Sequence, residues 1–312
     1  MSSRRSAVLF LLLATVWGTA FVAIKAGLDT LPPVLFAADR YDVAAVLMLA
    51  YAGLTSDYWL PRTRADWLTL VVEGTLIIAL YNAFLFVGQD GVTSGVAAIL
   101  VGMSPVFSTV FARLLVPSER LAPVGLAGLG LGFLGVVLVA RPGPGVVFGE
   151  AVVPAVLVLL AATTVALGSV LVQRLDADIA SEGMVAWSAA LGAVLLHAIS
   201  VGLPSESLAA AEFTTDSVLA VLYLAVFASA VGYVVYFDLL ASVGAIEINL
   251  VTYVVPVVAA LAGWLALGET LAPLDVGGFL AIFAGFLLLK RRAVASELAP
   301  VVARLRSDRL DR

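Results

Sequence analysis

Cysteine is absent from the 312 residues, which excludes disulfides, thiolate metal sites and cysteine nucleophiles. Histidine occurs once, as His197, which argues against a histidine-based metal centre. Lysine occurs twice against fifteen arginines, and charged side chains make up 12% of the chain, where soluble domains carry about 25%. A net charge of −5 argues against nucleic acid as a partner. The many glycines are not followed by Gly-Lys-Ser/Thr, so they form no phosphate loop. No cofactor and no metal are expected. What remains is apolar: 62% of residues are hydrophobic and the mean hydropathy is +1.10. No soluble core hides that much apolar surface, so lipid is the solvent for most of the chain.

Apolar stretches long enough to span a bilayer number ten. The first five are Ala7–Gly27, Val34–Leu54, Trp67–Gly88, Val92–Leu115 and Leu121–Ala140. The second five are Ala151–Gln173, Gly183–Leu203, Ser217–Leu240, Val243–Leu267 and Leu274–Leu289. Short connections with turn residues join them, as at Asp29-Thr30-Leu31-Pro32-Pro33. Ser3-Arg4-Arg5 before the first run superficially resembles an export signal, but there is no convincing small-residue cleavage site and many similar runs follow. Those arginines read as a cytoplasmic anchor.

The chain also carries a weak copy of itself, shifted by 150 residues. Glu119-Arg120-Leu121-Ala122-Pro123 recurs as Glu269-Thr270-Leu271-Ala272-Pro273, and Gly18, Gly128 and Gly135 map onto Gly168, Gly278 and Gly285. Pro105 and Pro256 correspond one residue out of step. The expected organisation is a cytoplasmic N-terminus at 1–6, a first five-helix repeat at 7–140, a second at 151–290 and a cytoplasmic tail at 291–312. With the N-terminus inside, Arg4, Arg5, Arg62, Arg64, Arg113, Arg120, Arg174, Lys290, Arg291 and Arg292 fall on the cytoplasmic side, and Arg141 alone on the other. Both termini are therefore expected in the cytoplasm. An odd number of spans per half makes the repeats inverted, the common arrangement of secondary transporters.

Several residues do not belong in lipid. Asp39, Arg40 and Asp42 share span two, where each costs about 2.5–3.5 kcal/mol at a span centre. Either a carboxylate pairs with Arg40 or lies near the outer interface, or Arg40 faces an aqueous path as a handle for an anionic group. Asp39 and Asp42 lack further ligands for a shared metal. Glu73, about 9 Å into span three, either carries a coupling proton or reaches the headgroups or an arginine. Lys25 is expected to snorkel, and His197 to hydrogen-bond between helices or relay protons.

Pro105 and Pro256 sit mid-span, where each removes a backbone donor, frees a carbonyl and kinks its helix; their pairing suggests gating. Glycines of spans five and ten suit close helix packing within the bundle or at a homodimer face. Trp17, Tyr81, Asn82, Tyr233, Tyr236, Asn249 and Tyr253 put hydrogen-bonding tips into apolar walls, as a cavity for a small amphipathic solute requires. Several of them suit interhelical ties equally.

Trp17-Gly18-Thr19-Ala20-Phe21, Arg40 and Pro105 resemble the EamA-type members of the drug/metabolite transporter superfamily. So does the stretch from Tyr253-Val254-Val255-Pro256 through Gly268-Glu269-Thr270-Leu271 to Gly277-Gly278 and Ala284-Gly285. The likeness covers residues 7–290. It implies an all-α integral membrane protein of ten helices in two inverted five-helix repeats around a central cavity, multi-pass in the cell membrane. Members move amino acids, sugars, nucleotide sugars, phosphorylated metabolites and toxic organic compounds. Intramembrane cations suited to phosphate esters are missing, since only Arg40 and, at the edge, Lys25 are available. A neutral, zwitterionic or weakly anionic solute is expected, moved by alternating access with proton or exchange coupling. The expected site comprises Trp17, Arg40, Asp42, Glu73, Tyr81, Asn82, Tyr233, Asn249 and Tyr253. A membrane-embedded enzyme lacks any paired acids or activated nucleophile. An assembly or chaperone subunit does not account for embedded charges in a repeated bundle.

Overall fold

Ten helical rods account for nearly all the residues that the computed structural model describes, which are 3–115, 123–140, 152–204, 206–243, 248, 250–289 and 291. In chain order they are α1 (Ser3–Leu28), α2 (Pro33–Thr55), α3 (Arg64–Asp90), α4 (Ser94–Leu115) and α5 (Pro123–Ala140). Then follow α6 (Val152–Val172), α7 (Ser181–Gly202), α8 (Thr215–Leu240), α9 (Val251–Leu267) and α10 (Pro273–Leu289). Six of them, α1, α3, α4, α6, α7 and α8, are long and apolar enough to cross a bilayer. Helices α9 and α10 and the apolar stretch Val124–Val139 of α5 are equally apolar but shorter, while α2 carries Asp39, Arg40 and Asp42. Large apolar side chains such as Leu54, Leu114, Val201, Leu265 and Leu280 lie exposed around the outside, the surface that lipid covers. The protein is an all-helical, multi-pass membrane protein.

Local chemistry sets the rod ends. Thr63 caps α3 in a reciprocal capping box with Asp66, and Thr214 caps α8 in another with Ser217. Thr93 caps α4 by accepting the Val96 amide at 3.3 Å. Pro33 starts α2, where a missing N–H costs nothing, and the Glu206 carboxylate accepts the next amides, of Val34 at 3.0 Å and Leu35 at 3.1 Å. Gly268, with φ +66°, ends α9 in the left-handed conformation that favours glycine.

Two rods change pitch midway. Glu73–Leu80 within α3 and Leu224–Val231 within α8 are π-helical, a form concentrated at functional positions. In α4 the regular helix stops at Val101 and restarts at Ser104. Pro105 thus occupies the first turn of the restarted segment, and the Val101 carbonyl it leaves free accepts Ser104 Oγ at 2.6 Å. Helix α9, by contrast, runs on through a buried Pro256. The two prolines are not equivalent structurally, and the carbonyl freed by Pro105 is already used.

The main packing partners are α5 with α10, α2 with α7, α1 with α8 and α9, α3 with α6 and α7, α4 with α6 and α9, and α2 with α8. Helices α5 and α10 meet at glycines. A Cβ on Gly128 would lie 2.6 Å from the Gly285 carbonyl oxygen, and one on Gly135 would lie 2.5 Å from that of Gly278. Gly128, Gly135, Gly278 and Gly285 therefore serve packing inside the bundle.

Hydrogen bonds tie the rod ends together. At one end, Lys25 Nζ donates to the carbonyls of Gln89 at 3.2 Å and Asp90 at 2.6 Å, closing the C-terminus of α3. Lys25 thus holds a partner rather than snorkelling. Beside it, the Glu269 carboxylate accepts the Ser94 amide at 3.0 Å, a favourable place for negative charge at a helix N-terminus. At the other end, Asp66 accepts from Tyr58 Oη (2.5 Å), Arg62 N (2.9 Å), Thr63 N (2.8 Å), Asp178 N (3.1 Å) and Ile179 N (3.2 Å). One carboxylate thereby stitches the 56–63 connection to the 173–180 connection. The bond to Asp66 raises the pKa of the Tyr58 hydroxyl.

Candidate functional site

Arg40 is the centre of the buried polar chemistry. It lies on the inward face of α2 and is 9% exposed. Its Nε and Nη2 donate to Ser229 Oγ at 3.2 and 3.1 Å, and its Nη1 donates to Asn82 Oδ1 at 3.4 Å. The guanidinium also lies over the Tyr41 ring, 4.9 Å from its centroid. Every one of these partners is neutral. Neither Asp39 nor Asp42 pairs with Arg40, so the expected local ion pair does not form. A guanidinium taken out of water loses several kcal/mol of hydration, and neutral acceptors return only part of it. This group gains most from an anion brought in from outside.

The surrounding shell is held firmly. Asn82, fully buried, donates from Nδ2 to Ile78 O at 2.7 Å and to Tyr41 Oη at 3.2 Å, which aims its Oδ1 at Arg40. Ser229 belongs to the π segment of α8 and Asn82 follows that of α3. Tyr81 lies within electrostatic reach of Arg40 and Tyr41, and Tyr233 within reach of Tyr41, Glu73, Arg40 and Tyr81. Both tyrosines are deep in the bundle yet retain accessible surface, as side chains lining an internal cavity do. The structure thus brings Arg40, Tyr81, Asn82 and Tyr233 together, and adds Tyr41 and Ser229, which the sequence reading missed. Ser229 is a single hydroxyl in an apolar run, and only its partner 189 positions away reveals its role.

Other expected residues lie elsewhere. Trp17 donates from Nε1 to Ala228 O at 3.1 Å, tying α1 to the π segment of α8, and its ring lies 5.7 Å from that of Tyr236. Tyr253 joins the rings of Phe283 and Phe286 on α10, at 5.0 and 4.7 Å, and its buried hydroxyl has no hydrogen-bond partner among the described residues. Asp42 accepts from His197 Nε2 at 2.8 Å across α2 and α7, with side chains about half exposed. With Asp39 they form a group whose ligand atoms lie within 4.8 Å of one another; the fold supplies the imidazole that two carboxylates on one helix lacked. Asn249 lies outside the described residues.

Glu73 reaches neither headgroups nor an arginine. It is 7% exposed, and its Oε2 has no hydrogen-bond partner among the described residues. Ser188 on α7 faces it, and that hydroxyl is likewise buried and unpartnered at bonding distance.

Comparison with known proteins agrees with this architecture. The chain matches the EamA-like transporter family over residues 4–141 and again over 153–291. It is 30% identical over 264 residues to the uncharacterized inner membrane transporter YedA of Escherichia coli K12, covering 83% of this chain and 82% of that one. It is 29% identical over 292 residues to a probable amino-acid metabolite efflux pump of Salmonella typhimurium, covering 91% and 94% respectively. A crystal structure 20% identical superimposes with a TM-score of 0.64, covering 94% of this chain and 99% of the other, which speaks to the fold. The chain belongs to the EamA-like transporter family.

Proposed function

We propose that the protein is a secondary transporter of a small metabolite bearing a carboxylate, an amino acid or a close relative, with Arg40 as the anion-binding group. The carrying observation is a buried guanidinium whose partners are all neutral. Tyr81 and Tyr233 supply aromatic walls, and Asn82 holds the guanidinium in place. The Salmonella relative's name as an amino-acid metabolite efflux pump supports this solute class. The bundle works in the cell membrane with both termini in the cytoplasm, as the arginine distribution favours.

The ten rods form two inverted five-helix repeats that open alternately to either side. The two separate family matches support this reading. So do the capping boxes at Thr63 and Thr214, and the π segments starting at Glu73 and Leu224, each separated by the same interval as Pro105 and Pro256. The packing pairs support it too: α1 on α9 matches α6 on α4, and α3 on α6 matches α8 on α1. Such a bundle closes about one midplane site.

The test is counterflow of labelled amino acids into proteoliposomes. Arg40→Lys keeps the charge but loses the planar fork that grips a carboxylate; it is expected to impair flux while folded protein persists, and Arg40→Ala to impair it further. Falling thermal stability with near-normal flux per folded molecule would remove Arg40 from the site. Chemical turnover in detergent without flux would point to an enzyme instead.

A further inference from the structure

We infer that Glu73 is the group that binds and releases a proton during the transport cycle, coupling solute movement to a proton gradient; this rests on the transporter reading above. Three buried polar side chains converge at Glu73, on the contact between α3 and α7. Thr69 Oγ1, Glu73 Oε2 and Ser188 Oγ are all buried and all without hydrogen-bond partners at bonding distance among the described residues, with exposures of 1%, 7% and 0%. Thr69 lies one helical turn before Glu73 on the same face, and Ser188 faces Glu73 from α7.

Around this trio α3 and α7 approach closely. A Cβ on Gly74 would lie 3.1 Å from the Ser188 carbonyl oxygen, and one on Gly192 would strike Ile78. Helix α6, which also packs here, has no titratable side chain. On α7 the titratable groups are Glu182 and His197, about 9 and 14 Å along the helix from Ser188, and His197 is engaged with Asp42. From α8 the group in reach is Tyr233, which also lies within reach of Arg40.

An ionised carboxylate here has no counter-ion among the described residues and only neutral hydroxyls beside it, and an uncompensated buried charge costs several kcal/mol. Protonated, it gains an O–H that can donate to a hydroxyl while the second hydroxyl donates to its remaining oxygen. The site therefore favours the neutral acid when closed and the anion only when water reaches it, which is the behaviour of a proton carrier in a membrane. Two features supply the route and the motion. Tyr233 keeps accessible surface and lies within electrostatic reach of both Glu73 and Arg40. The helix changes to π pitch at Glu73 itself, whose amide is shared between the Thr69 and Leu70 carbonyls. One proton is taken from water onto the carboxylate and later returned to water; no other bond changes.

Two measurements test this, one of them independent of any solute. In the first, infrared difference spectra of the purified protein are recorded as pH is raised. Wild type is expected to lose a protonated-carboxyl band that is absent from Glu73→Gln and restored, shifted, in Glu73→Asp. The second uses proteoliposomes with labelled leucine, threonine and glutamate as probes. One proton per solute sustains about a tenfold solute gradient for each unit of imposed pH gradient. Glu73→Gln is expected to reduce this to about onefold while counterflow persists. A titrating band unchanged in Glu73→Gln, or gradient-driven accumulation equal to wild type, overturns the assignment. If no probe moves in wild type, the transport reading falls, and the infrared result alone still decides whether Glu73 titrates.

Discussion

Alanine at Gly285 or Gly135 will force apart two helices that now meet backbone to backbone. The added Cβ would lie 2.5 Å from the Gly128 or Gly278 carbonyl oxygen, against the 3.4 Å at which ordinary contact begins. The shortfall is about 0.9 Å, and neither atom belongs to a side chain that can swing away, so α5 and α10 must separate along the most extensive packing contact in the bundle. Overpacking of this kind costs about 1–3 kcal/mol, while the better helix propensity of alanine returns up to about 1 kcal/mol. The net loss is therefore on the order of 1–2 kcal/mol. Gly130 on α5 and Gly277 on α10 are internal controls, since a Cβ on either meets nothing within 4 Å; alanine there should be neutral or stabilising by up to about 1 kcal/mol. Thermal melts in detergent, followed by retention of the monodisperse chromatographic peak, should separate the two pairs by a few degrees. Equal melting temperatures for Gly285→Ala and Gly277→Ala would refute the close crossing. A loss at Gly277 alone would place the functional contact on the opposite face of α10, as a homodimer face would.

Two further outcomes are expected. Reporters fused after Arg64, Arg120 or Arg292 should read the cytoplasm and one after Gly145 the outside; a cytoplasmic signal at Gly145 would break the proposed repeat. Asp66→Ala should lower the melting temperature and expose the 56–63 and 173–180 connections to protease, because five donors lose their common acceptor. Arg64→Ala, a change outside that knot, should leave both unchanged.

Much of the frame was legible in the residues themselves, because lipid imposes so narrow a choice of structure. Most rod boundaries came within a few residues: Trp67–Gly88 became Arg64–Asp90, since the capping threonine and the Lys25-bound carbonyls extend the helix beyond its apolar part; α9 is the exception, starting at Val251 rather than Val243. Arg40 stood out because a charge in an apolar run is costly. Of its partners only Asn82 did, because Ser229 and Tyr41 are ordinary residues in their own segments and acquire meaning only through proximity. The same holds for His197, which meets Asp42 across 155 positions. Glu73 was ambiguous because depth along a helix does not reveal which way a side chain turns. The π segments have no recognisable composition, and Pro105 misleads because Gly102 ends the regular helix before it.

A π turn holds one residue more than the α-helical turns on either side, so it is a stored unit of slack in an otherwise stiff rod. Sliding that slack by one turn rotates the intervening side chains by about 100° while the ends of the rod stay where they are. In α3 and α8 the N-terminal ends are fastened at Thr63 and pinned by Glu212 O and Thr214 around Ser217, and the residues just past the slack are Tyr81, Asn82 and Tyr233. The groups around Arg40 can therefore be presented or withdrawn by twisting within a rod. A distance probe on the ends of α3 or α8 would report stillness through the step that matters most to the solute.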